Sequence, residues 1–167
     1  MFLTSVALGV IVICTGAVWA RRSLVVVSVQ GTSMEPAVVD GDRVLVRRRR
    51  LRRVKVGDIV VLEPPSRGPY RSAAEAGPDG RVWNVKRVAA LPGDPLPPGV
   101  PGEGAEGAED ADLGDPGTGA EPGRGRVGPG SFAVLGDNLA DSIDSRHRGL
   151  FPAERLMGVV VRRLSAR

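Results

Sequence analysis

Residues 23–48 read SLVVVSVQGTSMEPAVVDGDRVLVRR, two runs rich in β-branched residues on either side of a segment punctuated by Gly31, Pro36 and Asp40-Gly41-Asp42. Runs of that kind, bounded by turn residues, predict strands over 23–29 and 43–48. The signature recurs downstream in DIVVLE (58–63), RVWNVKRVAAL (81–91), SFAVLG (131–136) and LMGVVVRRL (156–164). Gly57-Asp58, Pro64-Pro65, Pro78-Asp79-Gly80 and Pro92-Gly93-Asp94 separate the runs. Past residue 20 no apolar pattern of helical period extends, so the expected fold is mostly β, built from short antiparallel strands.

Upstream, residues 2–20 (FLTSVALGVIVICTGAVWA) carry no charge. That is close to the ~20 apolar residues needed to cross a bilayer. Trp19 and the Arg21-Arg22 pair stand where an interfacial anchor belongs. A cleavable signal peptide is the rival reading, with Val18 and Ala20 before the cut; the lack of a basic region ahead of the apolar run favours the anchor. The positive-inside rule would keep the arginine-rich flank in the cytoplasm, and this conflicts with an extracytoplasmic domain. Cys14, the sole cysteine, lies in the apolar run and reads as a small membrane-helix residue.

The 167-residue chain has room for this anchor and one β-rich domain, residues 21–167. Its net charge of +4 hides an asymmetry: RVLVRRRRLRR (43–53) is strongly basic, whereas residues 103–121 are acidic without one basic residue. A basic run beside an anchor suits anionic phospholipid head groups, and the plainest alternative is a solvated charge run with no partner. Nucleic acid is not expected, because no aromatic residue interleaves the arginines. Residues 95–130, dominated by Gly, Pro, Ala and acids, are predicted to form a disordered surface insertion.

Ser33 sits in GTSMEP, and a serine hydroxyl attacks a carbonyl only when a base takes its proton. His147, the sole histidine, is flanked by Arg146 and Arg148, which would oppose its protonation, so it reads as a surface or structural residue. Of 23 basic residues only Lys55 and Lys86 are lysine. Arginine keeps its proton at any accessible pH, whereas a desolvated lysine can lose it near neutrality. Lys55 lies among arginines beside a turn. Lys86 lies within a strand, where alternation puts it on the face of Val82, Asn84 and Val88, opposite Trp83 and Val85. A third element, GDNLADSIDSR (136–146), gathers Asp137, Asn138, Ser142, Asp144, Ser145 and Arg146 after an apolar strand. It reads either as a turn held by side-chain bonds and an Asp-Arg pair, or as the source of a hydroxyl that orients the lysine.

In order, GTSMEP, GDRVLV, VGDIVVLEPP, KRVAALPGD, GSFAVLGDN and DSIDSR, preceded by a membrane-length segment, resemble the type I signal peptidases, or leader peptidases. The resemblance covers the anchor and most of residues 24–160, apart from the acidic insertion. It implies a Ser-Lys dyad serine endopeptidase on a β-rich fold, held in the cytoplasmic membrane by a single pass with its catalytic domain on the extracytoplasmic face. Its substrates would be signal peptides of exported preproteins, cut after small residues of the Ala-x-Ala type. By motif position Ser33 resembles the nucleophile and Lys86 the general base. Ser142 resembles the hydroxyl that positions the lysine, and Asp144 and Arg146 a bracing pair. The Ser33 backbone N-H would serve the oxyanion hole, while Gly31 stands where some members supply a hydroxyl donor. Gly31, Met34, Pro36 and Val85 are candidate substrate-binding residues. Ala37 and Ala90 depart from the family's usual Thr and Gly, and the acidic insertion replaces further strands. No metal or organic cofactor is expected, and the chain is expected to be monomeric.

Other readings remain. Self-cleaving repressor peptidases share such a dyad but need a DNA-binding domain for which the first 20 residues leave no room. A conjugation or pilus processing peptidase would differ mainly in substrate. An inactive membrane-tethered β domain, binding lipid or nucleic acid through residues 47–53, would give Ser33 and Lys86 no reason to meet.

Overall fold

The structure is a computed structural model, and it describes residues 23–64, 83–102 and 125–164. Among these residues seven strands form: β1 (Leu24–Ser28), β2 (Arg43–Arg48), β3 (Ile59–Leu62), β4 (Asn84–Ala90), β5 (Ser131–Leu135), β6 (Phe151–Pro152) and β7 (Leu156–Leu164). They lie in the order β1-β2-β7-β3-β4-β5-β6, every neighbouring pair antiparallel. Strands were expected near six of these positions, and only the two-residue β6 lacked a sequence signal. The apolar stretch 2–20, expected as a membrane helix, lies outside the described residues. Among the described residues no helix is long and apolar enough to cross a membrane.

Alternation along β3 divides the apolar side chains between the two faces of the sheet. Val60 and Leu62 join Leu51, Val54, Val88, Phe132, Val134, Phe151 and Val159 in one buried cluster. Val61 joins Val29, Met34, Val38, Val44, Val46, Val85 and Met157 in another. Met157 and Val159 would share a face in a regular strand. The register shift of β7 opposite Val61 and Leu62 releases them to different clusters, as an extra residue in one strand does.

The second cluster fixes the long connection between β1 and β2. Val29 N donates to Asp42 O at 2.8 Å and Gly41 N to Val29 O at 3.0 Å, closing its base. Met34, 1% exposed, is buried from this loop against Val61 of β3 and Val85 of β4. The loop is thereby drawn across the sheet from its own hairpin towards β4. That reach sets up the site.

Residues 95–130 were expected to be one disordered insertion. The two ends that the structure describes are instead part of the fold. Pro95 bridges Arg126, and Leu96, Val100 and Val127 pack with Ala90 of β4 and Ala133 of β5. Three apolar residues dispersed among glycines and prolines were sufficient to anchor both ends. The central part, 103–124, lies outside the described residues.

Candidate active site

Ser33 and Lys86 are 53 residues apart in sequence, and Lys86 Nζ donates to Ser33 Oγ at 2.7 Å. Lys86 lies on β4 opposite Val60 of β3 and is 5% exposed. Removing an ammonium from water to this extent favours its neutral form. Lys55, the other lysine, is exposed beside the turn that precedes β3.

The turn that carries Ser33 is held on two sides. Within the loop, Gly31 N donates to Asp40 Oδ1 at 2.7 Å, Glu35 N to Thr32 O at 3.0 Å and Val38 N to Met34 O at 3.0 Å. Gly31 has φ of 91°, a left-handed conformation that a Cβ would strain, so glycine at this point is a backbone requirement. On the other side, residues 136–142 clasp the turn: Asn138 N donates to Ser33 O at 3.1 Å, Asn138 Nδ2 to Thr32 O at 3.3 Å, and the Thr32 hydroxyl to Asp141 Oδ2. The Ser33 N-H has no acceptor among the described residues. It is therefore available to a bound carbonyl oxygen.

Behind this clasp lies Asp144, fully buried. Its Oδ2 accepts from Gly136 N at 2.9 Å, Ser142 Oγ at 2.9 Å and Arg146 NH2 at 2.7 Å, and its Oδ1 from Arg146 Nε at 2.9 Å and Arg146 N at 3.2 Å. Burial alone would push this carboxyl up, but the bonds from Arg146, the Gly136 amide and Ser142 outweigh it and hold the pKa at about 2. The same contact raises the pKa of Arg146. Ser142 has thus committed its only hydrogen to Asp144, and its lone pairs are left to accept. His147 is exposed and takes part in a capping arrangement with Asp144 at the start of the helical turn Ser145–Arg148.

Gly136 joins the two halves of the site. A Cβ there would fall 2.1 Å from Ser142 Oγ and 2.7 Å from the Ser33 carbonyl oxygen. Ser142 and Ser33 therefore flank one α-carbon. Next to it, Arg87 of β4 pairs with Asp137 through two contacts, Nε to Oδ1 at 2.8 Å and NH2 to Oδ2 at 2.6 Å, and its NH1 donates to Gly57 O at 2.9 Å. Neither Gly136 nor the Arg87–Asp137 pair was singled out from sequence. The signal was the Gly-Asp-Asn run after an apolar strand together with an arginine adjacent to Lys86.

Among the candidate substrate-binding residues, Met34 and Val85 are buried in one cluster, Gly31 is half-buried and Pro36 is exposed. No group of His, Cys, Asp and Glu among the described residues could hold a metal ion. A buried amine on a serine hydroxyl, next to a free backbone N-H, is a constellation suited to nucleophilic attack on a carbonyl.

Comparison with known proteins points to one family. The family model described as "Signal peptidase, peptidase S26" matches residues 2–96 and 105–164. "Probable signal peptidase I-2" of Synechocystis is 29% identical over 134 residues, 78% of this chain and 58% of that protein. "Signal peptidase I" of Bacillus licheniformis is 30% identical over 144 residues, covering 78% of this chain and 70% of the relative. "Signal peptidase I V" of Bacillus subtilis is 27% identical over 149 residues, covering 79% and 80%. The chain thus spans little more than half the length of the cyanobacterial relative and a larger share of the two Bacillus proteins. With a family match across most of its length, the chain belongs to the signal peptidase family of serine endopeptidases, peptidase S26.

Proposed function

We propose that this chain is a membrane-tethered endopeptidase that removes signal peptides from exported preproteins, with Ser33 as nucleophile and Lys86 as general base. The observation that carries the reading is the 2.7 Å contact between Lys86 Nζ and Ser33 Oγ. With the amine neutral, the contact runs in the opposite sense and Ser33 O-H donates to Nζ. Lys86 takes that proton as Oγ attacks the scissile carbonyl, then gives it to the leaving amine. Water, deprotonated by the same lysine, hydrolyses the acyl-enzyme.

The Ser33 N-H is assigned to the oxyanion that forms on attack, a role in which one donor is worth about 2.7 to 4 kcal/mol of barrier. Gly31 cannot add a second donor, because it has no side chain and its N-H is engaged by Asp40. Ser142 is assigned the positioning of Lys86: with its hydrogen given to Asp144, it accepts from the amine and aims the remaining lone pair at Ser33. Asp144 and Arg146 hold Ser142 in that role.

The substrate is assigned an extended conformation with small residues of the Ala-x-Ala type before the cut. Met34 and Val85, packed together next to the dyad, with Gly31 and Pro36, are the residues assigned to the small-residue pockets. Residues 2–20 provide the tether in the cytoplasmic membrane, with the domain on the extracytoplasmic face where exported chains emerge.

The test is cleavage of a preprotein bearing an Ala-x-Ala site by the detergent-solubilised full chain, with the product's new N-terminus read by mass spectrometry. Wild type should cut after the second alanine and Ser33→Ala should not. Cleavage by Ser33→Ala at the wild-type rate, or an uncut panel of preproteins with folded wild type, would overturn the reading.

A further inference from the structure

Six arginines fall within residues 47–53, interrupted only by Leu51. Leu51 and Val54 are buried in the cluster of Val60, Val88 and Phe132. This pins the 3-10 turn Leu51–Arg53 by its apolar side and leaves Arg50, Arg52 and Arg53 exposed, with Arg48 exposed just ahead of them. Elsewhere the fold matches arginines with acids: Arg87 with Asp137, Arg146 with Asp144, Arg155 with Glu63, Arg163 with Asp42. Among the described residues Arg48, Arg49, Arg50, Arg52 and Arg53 make no ion pair, and the turn has no acidic residue. Such a cluster repels itself and is stabilised by an external anion.

The sheet register indicates which anion. Leu24, the first residue of β1, pairs with Arg47, so the arginines begin where the chain enters the sheet. Only three residues, 21–23, separate that point from the uncharged stretch 2–20. The basic turn therefore begins at the end of the sheet that the chain enters, three residues after the membrane-length stretch in sequence. The run has no aromatic residue to stack on a base, and exposed Val56 follows it. We propose that residues 48–53 form a docking surface for anionic phospholipid head groups, holding the domain against the bilayer.

The segment that follows this surface is fastened to the strand of the site. Gly57, four residues after the turn, donates its N-H to Val88 O at 2.9 Å and accepts from Arg87 NH1 at 2.9 Å. Both partners lie on the strand that carries Lys86. Docking thus fixes the cleft near the head-group layer, where a signal peptide leaves the membrane; the choice of partner rests on reading residues 2–20 as a tether, as in the proposed function.

The experiment uses the full chain carrying Cys14→Ser and Val56→Cys, labelled with a fluorophore at residue 56 and reconstituted into vesicles. Lipids with a spin label on the head group report proximity by quenching. Quenching should be strong in phosphatidylcholine mixed with phosphatidylglycerol and weak in phosphatidylcholine alone. High salt and Arg50→Glu/Arg52→Glu/Arg53→Glu should abolish it, at about fivefold in local partition for each charge removed. The triple Gln variant should be intermediate, and cleavage in detergent by either variant should match wild type, which shows that they fold. Equal quenching in neutral and anionic vesicles, or quenching that survives charge reversal, overturns the proposal. So does a silent probe in both vesicles with salt-dependent binding of duplex DNA, which would assign the turn to nucleic acid. The probe reports lipid contact whether or not a peptide is cut, so this result and the Ser33→Ala result fail independently.

Discussion

Gly136→Ala is the substitution for which the structure makes the sharpest demand. The new Cβ would lie 2.1 Å from Ser142 Oγ, 2.5 Å from Ser142 Cβ and 2.7 Å from the Ser33 carbonyl oxygen. Neither neighbour can yield freely: Ser142 is buried and bonded to Asp144, and the Ser33 carbonyl accepts from Asn138 N. Overpacking at a tight site costs about 1 to 3 kcal/mol and the weakened Ser142–Asp144 bond about 1 more, so a loss of about 2 to 4 kcal/mol is expected. At about 4 °C per kcal/mol for a domain of this size, melting should fall by roughly 8 to 16 °C. Relieving the clash moves the Ser33 turn by about 1 Å, and if Ser33 is the nucleophile, as proposed, such a misplacement typically costs about 100-fold in rate. Gly93→Ala is the control. Its Cβ meets nothing within 4 Å, although φ is +90°. It should carry only the backbone strain of about 1 to 2 kcal/mol and cut at the wild-type rate. The assay is single-turnover preprotein cleavage in detergent, below the melting temperature of each variant. Gly136→Ala cutting within threefold of wild type would refute the proposed link between Ser142 and the Ser33 turn.

Asp144 makes stability depend on acid. Its folded pKa of about 2 lies below the unfolded value of about 3.9, so its contribution is complete above about pH 5 and disappears as pH falls towards 2. Urea titrations across that window should show wild type losing about 2 kcal/mol more than Asp144→Asn, and parallel curves would contradict this. Thr32→Val removes the hydroxyl that donates to Asp141 while keeping the shape of the side chain. Because the contact is exposed, melting should change by less than about 0.5 kcal/mol equivalent, whereas kcat should fall severalfold and Thr32→Ser should restore it. Phe132, fully buried against Phe151 with ring centroids 6.4 Å apart, belongs to the core and not to the site. Phe132→Ala should cost about 3 to 5 kcal/mol by denaturant titration, and a loss under about 1 kcal/mol would mean that the core is not packed as described.

What could be read from sequence was whatever announces itself locally. The β-branched runs at 24–28, 43–48 and 156–164 declare their strands through composition and the turn residues that flank them, even where a register shift breaks the alternation. Lys86 stood out against a background of arginine, a contrast of chemistry that needs no coordinates. Contacts between distant segments were not legible. The β6 pairing of Phe151 with Phe132 gives two residues in a strand too short to have a period. The register shift that sends Met157 to the cluster of Met34 depends on what β3 presents across the sheet. Leu96, Val100 and Val127 look like stray apolar residues in a Gly/Pro-rich stretch until Ala90 and Ala133 leave space for them. Gly136 reads as a turn glycine, and only the approach of Ser142 and Ser33 shows that its missing side chain matters.

The central claim is that Ser33 and Lys86 act as one unit, and a double-mutant comparison of cleavage rates tests it most directly. Preprotein cleavage by wild type, Ser33→Ala, Lys86→Met and the double variant should give one high rate and three equal residual rates, because groups that share one proton transfer are strongly non-additive. A Lys86→Met variant that retains near wild-type cleavage, or a double variant whose loss is the product of the two single losses, would contradict it.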